Sequence, residues 1–299
     1  MVQLRRYEFA AARRCSVFAR RPDLGTVGDA GAHEQLALSP DTAHAAYRDG
    51  LGTGPGDLWV ADFVRGVSER FTFDHSLGGF PVWSPDGSRI VFRSGDGVFQ
   101  KATGGGAPEL LLRMQTQTIP SSWSPDGRFL LLTVLGSNTL QDVRVLPMQG
   151  ERQLFPFVDT QYNESQGSFS PDGRWVAYTS NESARGEVYI ASFTPPGSSD
   201  SRVQTRQQIS RDGGNTPVWR DDGREVIFRS ALSGMPMAVE ITPTGAGFQA
   251  GTPIRLFATP PVPWAVTRDG KRFLVSMPPP QEVLAPIIVD LNWEAGLKR

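Results

Sequence analysis

A four-residue turn signal recurs six times in this chain, each time just ahead of an apolar run. The copies are Ser39-Pro40-Asp41-Thr42, Ser84-Pro85-Asp86-Gly87, Ser124-Pro125-Asp126-Gly127, Ser170-Pro171-Asp172-Gly173, Arg220-Asp221-Asp222-Gly223 and Thr267-Arg268-Asp269-Gly270. From aspartate to aspartate the steps are 45, 40, 46, 50 and 47 residues. A period of that size, filled with strand-like runs and no helical signal, predicts a radial or stacked array of small sheets. Each unit is too small to bury its own apolar faces and must lean on its neighbours.

The unit reads as four strands. In the fourth copy Ser168-Phe169 enters the turn and Trp175 to Thr179 leaves it; Glu187 to Ala191 and Gln207 to Ser210 follow. Serine first, proline second and glycine fourth are the preferences of a type I turn joining antiparallel strands. The second strands, such as Phe129 to Leu132 and Val226 to Phe228, are apolar at nearly every residue, as in a sheet covered on both faces. This predicts an all-β, six-bladed β-propeller of four-stranded antiparallel blades.

The last repeat supplies three strands, Trp264 to Val266, Phe273 to Val275 and Pro286 to Val289. An open edge would invite aggregation, so an N-terminal strand, Leu24 to Val27, is expected to join the last blade and close the ring, with Val17-Phe18 adding a fragment. Residues 1–22, which carry six arginines, read as a lead-in that is disordered or truncated, and residues 23–299 as the propeller.

With these residues in view, the repeats resemble the Pro-Asp, WD-like propeller repeats of the TolB family, over about residues 37–276. The string Asn163-Glu164-Ser165-Gln166-Gly167 and the ending Leu291 to Lys298 resemble the C-terminal propeller of certain bacterial serine/threonine protein kinases. There a kinase domain and a membrane segment precede the propeller, which the resemblance casts as a sensory or binding part. This chain lacks the kinase glycine loop, the His-Arg-Asp and the Asp-Phe-Gly, so no kinase activity carries over. The resemblance implies an extracytoplasmic setting, but no secretory signal is seen, and a cytoplasmic one stays open as the alternative.

The charge is balanced, with 30 basic and 31 acidic residues, which argues against nucleic acid as a partner. No apolar run is long enough to cross a bilayer as a helix. The lone Cys15 rules out an intrachain disulfide or a cysteine metal cluster. The three histidines, His33, His44 and His75, have no metal-ligand spacing, and there is no Gly-x-Ser-x-Gly elbow or phosphate loop. The repeated aspartates sit at one structural position and read as turn chemistry, because an active site needs a unique constellation. No cofactor, metal or catalytic residue is therefore expected.

Recognition is expected on the loops that enter the innermost strands and join the second strands to the third, which crowd one mouth of the channel. The candidate binding residues there are His75, Asn163, Glu164, Gln166, Asn181, Arg185 and Asn215. Asn163 and Gln166 could equally serve backbone groups of their own loops. The expected role is a non-catalytic propeller that binds a protein or small molecule in a bacterial signalling or envelope system. The alternatives are a hydrolase or lyase with carboxylates at the mouth, and the regulatory propeller of a peptidase.

Overall fold

The computed structural model describes residues 2–12, 16–21, 26–31, 33–50, 56–73, 79–114, 116–136, 140–158, 160–198, 205–245, 247–257 and 263–277, with side chains from His33 to Ser276. Every regular element among them is a strand. Three N-terminal strands, β1 (Val2–Ala12), β2 (Ser16–Arg21) and β3 (Thr26–Gly31), come first.

Five blades follow, each a run of antiparallel neighbours. The first is β4 (His33–Leu38), β5 (His44–Asp49), β6 (Leu58–Asp62) and β7 (Val67–Arg70). The second is β8 (Gly79–Trp83), β9 (Arg89–Ser94), β10 (Gly97–Ala102) and β11 (Glu109–Arg113), and the third β12 (Thr118–Trp123), β13 (Phe129–Leu135), β14 (Gln141–Pro147) and β15 (Phe155–Pro156). The fourth is β16 (Glu164–Phe169), β17 (Trp175–Ser180), β18 (Glu187–Ser192) and β19 (Arg206–Gln208). In the fifth, β20 (Gly214–Trp219) and β21 (Glu225–Ser230) lead to β22 (Pro236–Pro243), whose outer edge is shared by β23 (Phe248–Ala250) and β24 (Ile254–Arg255).

Five such blades, not the expected six, are complete within their own repeats. Among the described residues the last repeat contributes β25 (Trp264–Val266) and β26 (Arg272–Met277). The open edge of β26 is taken by β1, antiparallel from Gln3–Met277 to Glu8–Arg272, and β2 and β3 both pair with β1. An N-terminal strand thus joins the last sheet, but it is Val2–Ala12 and not the expected segment. Thr26 and Val27 lie in β3 and meet β1 instead of β26; Leu24, Gly25 and Pro286–Val289 lie outside the described residues. The physical reason is length: β1 can satisfy the whole ladder of β26, which a four-residue strand cannot.

The turns work as their residues predict. In the second blade Gly87 N–H donates to Ser84 C=O at 2.9 Å, and the Ser84 hydroxyl donates to Asp86 at 2.5 Å while accepting from Arg89 N–H at 2.9 Å. The second strands form the core: Leu130, Leu131 and Leu132 are fully buried, as are Val176, Ala177 and Tyr178. Apolar clusters bridge consecutive blades, as where Leu131 and Val143 of the third meet Val176 and Tyr178 of the fourth. The innermost strands touch in the order β4, β8, β12, β16 and β20, and β25 touches β4. They surround a channel with the turns at one mouth and the longer loops at the other.

Candidate functional site at the loop mouth

At the loop mouth every innermost strand of the five blades breaks its ladder register near its start. The residue six before the turn aspartate is left-handed in four of them: Gln35 (φ 54°), Phe80 (56°), Gln166 (58°) and Thr216 (50°). In the third blade that place holds Pro120, whose ring forbids a positive φ. The twisted backbone turns an N–H toward the preceding blade, and side chains answer it. Gln35 accepts from Phe80 N–H at 2.7 Å and Gln166 accepts from Thr216 N–H at 2.9 Å. Gln166 N–H itself donates to Thr133 Oγ1 at 2.9 Å.

Gln166 therefore joins two blades, and Thr179 Oγ1 donates to the same amide oxygen at 3.0 Å. Asn163 and Asn181 are brought together: Asn163 N–H donates to Asn181 Oδ1 at 2.9 Å, and Asn181 N–H to Asn163 C=O at 3.2 Å. Asn163 Oδ1 accepts from Gln141 N–H of the third blade at 3.0 Å. Arg185 stands apart, donating to buried Glu187 at 2.7 Å and to Asp212 at 3.4 Å. Glu187 also accepts from Gly213 N–H at 2.8 Å and from the Ser210 hydroxyl, which ties the fourth blade to the loop that leads into the fifth. Asn215 faces Arg229 across the β20–β21 ladder. His75 lies outside the described residues.

Glu164 is fully buried although its type reads as surface charge. Its Oε1 accepts from Thr160 Oγ1 at 2.5 Å and from Ser180 Oγ at 3.3 Å, while Oε2 has no partner among the described residues. Burial pushes its carboxyl above the ordinary glutamate range; the two hydroxyls oppose this and Asp142 adds to it. Glu182 Oε2 of the same blade is likewise buried with no partner among the described residues. Glu182 Oε1 accepts from Arg206 at 2.7 Å.

A second set of mouth residues escaped the reading of the sequence. The residue seven after each turn aspartate lies one or two places before the end of the second strand at this mouth: Arg48, Arg93, Thr133, Thr179, Arg229 and Ser276. Thr133 and Thr179 serve neighbouring amides as described, and Ser276 Oγ donates to His33 C=O at 2.8 Å. Arg48 is buried, with Glu34 at 3.8 Å. A Cβ on Gly79, whose φ is +140°, would lie 1.9 Å from Gln35 Oε1 and 2.9 Å from Arg48 Cδ, so glycine leaves room there for both side chains. The fixed offset was the available signal. Among the described residues, no group of three His, Cys, Asp or Glu side chains is placed to hold a metal ion.

No family model matches the chain. Among solved structures it is similar to TolB from Agrobacterium tumefaciens, with a TM-score of 0.68 and 16% identity over 92% of this chain and 97% of that one. It is also similar to TolB from Acinetobacter baumannii, with a TM-score of 0.51 and 16% identity over 82% of this chain and 63% of that one. A chain from a study of two prolyl endopeptidases and their inter-domain dynamics matches at a TM-score of 0.53 and 12% identity, over 80% of this chain and 38% of that one. In sequence, 187 residues are 24% identical to the uncharacterized peptidase YuxL of Bacillus subtilis (strain 168), which is 48% of this chain and 28% of the peptidase. The chain therefore spans little more than a quarter of that relative's length. The fold is that of the TolB-like β-propellers.

Proposed function

We propose that this TolB-like β-propeller is a binding module rather than a catalyst. It is read as a ring of six blades, the sixth assembled from β25, β26 and the N-terminal strands, that offers its loop mouth to a protein or small-molecule ligand. The module would be the sensory or scaffolding part of a bacterial signalling or envelope system. One observation carries this reading. The turn aspartate is the same in all six repeats, whereas the mouth position seven residues later holds Arg, Arg, Thr, Thr, Arg and Ser. A repeated scaffold with a non-repeated constellation at one end is what specific recognition on a rigid frame requires.

The test is a thermal-shift screen of peptide and metabolite panels against the full chain, since a ligand that binds only the folded ring raises its Tm. A binder is expected whose shift is lost when mouth residues such as Asn215 or Arg93 are replaced. Turnover of a glycan or peptide that Glu164→Gln or Asp142→Asn abolishes would overturn the reading in favour of a hydrolase or lyase. The match to the Bacillus peptidase and to a prolyl endopeptidase chain favours a second reading, the regulatory propeller of a peptidase. An α/β-hydrolase frame in the adjoining sequence, with activity on peptides in the joined product, is what that reading expects.

A further inference from the structure

We infer that the seam between the second and third blades takes an anion at the loop mouth, where Arg93 grips a carboxylate or phosphate group of the ligand. The inference rests on the reading of the loop mouth as the binding face and names the chemistry that face would select. The ladder gives the place of Arg93. It lies opposite Val98, and Val98 lies opposite Leu112, so the three share one face of the second blade. Val98 and Leu112 pack in the apolar cluster that also holds Leu130, Leu132 and Val134 of the third blade. Arg93 thus stands on the face turned to the third blade, half-buried, with apolar side chains beside its stem.

Two observations mark its guanidinium as free for a ligand. The first is what it faces. One seam further on, Thr133 occupies the same place as Arg93 and accepts Gln166 N–H from the left-handed residue of the next innermost strand. At the seam of Arg93 both parts of that bond are changed. The residue in the place of Gln166 is Pro120, which has no N–H to offer, and a guanidinium could not accept one.

The second is the lack of a partner. Arg93 makes no hydrogen bond or ion pair with a described residue. Arg70, Arg144, Arg152 and Arg220, which are also drawn partly out of solvent, each hold a carboxylate at 2.5 to 3.0 Å. The carboxylate nearest to Arg93 along the chain, Asp96, is taken by Arg113 at 2.6 Å. The other mouth arginines are committed: Arg48 donates to Gly50 C=O and has Glu34 at 3.8 Å, and Arg229 donates to Gly234 C=O at 3.3 Å. A cation half out of water gains nothing from the apolar groups beside it, so an anion from outside offsets its lost hydration. The planar fork matches two oxygens of a carboxylate or phosphate, and a pair formed against apolar side chains is screened less than one on the open surface.

The experiment follows the arginine Nε–H resonances of the full chain, labelled with ¹⁵N, during titration with inorganic phosphate and separately with acetate. Ionic strength is held constant with chloride. The Arg93 resonance, identified by its absence in Arg93→Met, is expected to move saturably in the millimolar range with at least one of the two, and the preferred anion tells phosphate from carboxylate. In the variants the backbone N–H of Val98 is the reporter. Its saturable movement should vanish in Arg93→Met and weaken about tenfold in Arg93→Lys, which keeps the charge and loses the fork. The preferred anion should also raise the Tm of the natural chain beyond any rise in Arg93→Met, and Arg93→Lys serves alone if Arg93→Met does not fold. An Arg93 resonance that stays still or drifts without saturation in both salts, or a Val98 response equal in the natural chain and the variants, overturns the inference. If a panel ligand is then lost in Asn215→Ala and kept in Arg93→Met, the binding reading stands and only the anion site falls.

Discussion

At the residue scale, the repeated tetrapeptide is a self-contained hydrogen-bonded unit. The Ser84 hydroxyl and then the Ser88 N–H hold the Asp86 carboxyl down at about 2. A folded-state value below the unfolded one means that Asp86 stabilises the fold above the ordinary aspartate range, and that this is lost as pH falls through about 2. Carboxyl titration by NMR should find Asp86 far below an unfolded aspartate, and Ser84→Ala should move it back up. The fifth copy reaches the same end by another route, since Arg220 replaces serine and pairs with Asp222 at 2.6 Å and Glu225 at 2.9 Å. Glu164 has the opposite sign. Its value is raised by burial, so the fold is favoured while Glu164 is protonated, below the ordinary glutamate range, and loses that advantage as pH rises through the folded value. Glu164→Gln is expected to raise Tm at neutral pH, with the gain shrinking toward acid. An equal change at both ends of the range would contradict the assignment. Glu164 shows why the site was only partly legible in the sequence. Its place in a polar string before a strand suggested a loop charge, whereas the chain has already begun β16 and the side chain is sealed between blades.

At the scale of the element, the innermost strand is the informative one. Its left-handed residue exposes an N–H that the preceding blade must accept, and a glutamine at that position supplies the acceptor for the next blade. Gln166→Ala removes the acceptor for Thr216 N–H and should cost about 1–3 kcal/mol by urea unfolding. Gly79→Ala, placed against Gln35 and Arg48, should cost about 1–3 kcal/mol through overpacking alone. The turns and the second strands were legible because their signals are local: turn residues at fixed offsets and unbroken apolar runs. Strand β23 was not, being three residues long and marked only by Phe248. The strand along β26 was not, because nothing in Val2–Ala12 names its partner more than 260 residues away in sequence; that pairing is decided by which backbone edge lacks hydrogen bonds. A chain begun at His33 is expected to lose amide protection in β26 and to self-associate through the bared edge.

For the whole molecule, the account separates two ends of one ring. The turn mouth repeats itself and is explained by its own hydrogen bonds. The loop mouth carries the buried carboxyl and the paired asparagines, and it is where recognition is proposed. Two exposed apolar residues mark the ends: Leu232, 80% exposed in the loop between β21 and β22, and Val64, 84% exposed in the turn between β6 and β7. A photo-activated cross-linking residue placed at either position, in the full chain with a ligand found by the thermal-shift screen, compares the two mouths directly. Adduct formed from position 232 and competed by free ligand, with none from position 64, is the predicted result. Adduct from position 64 alone, or from both positions without competition, would contradict the claim that this ring works through its loop mouth.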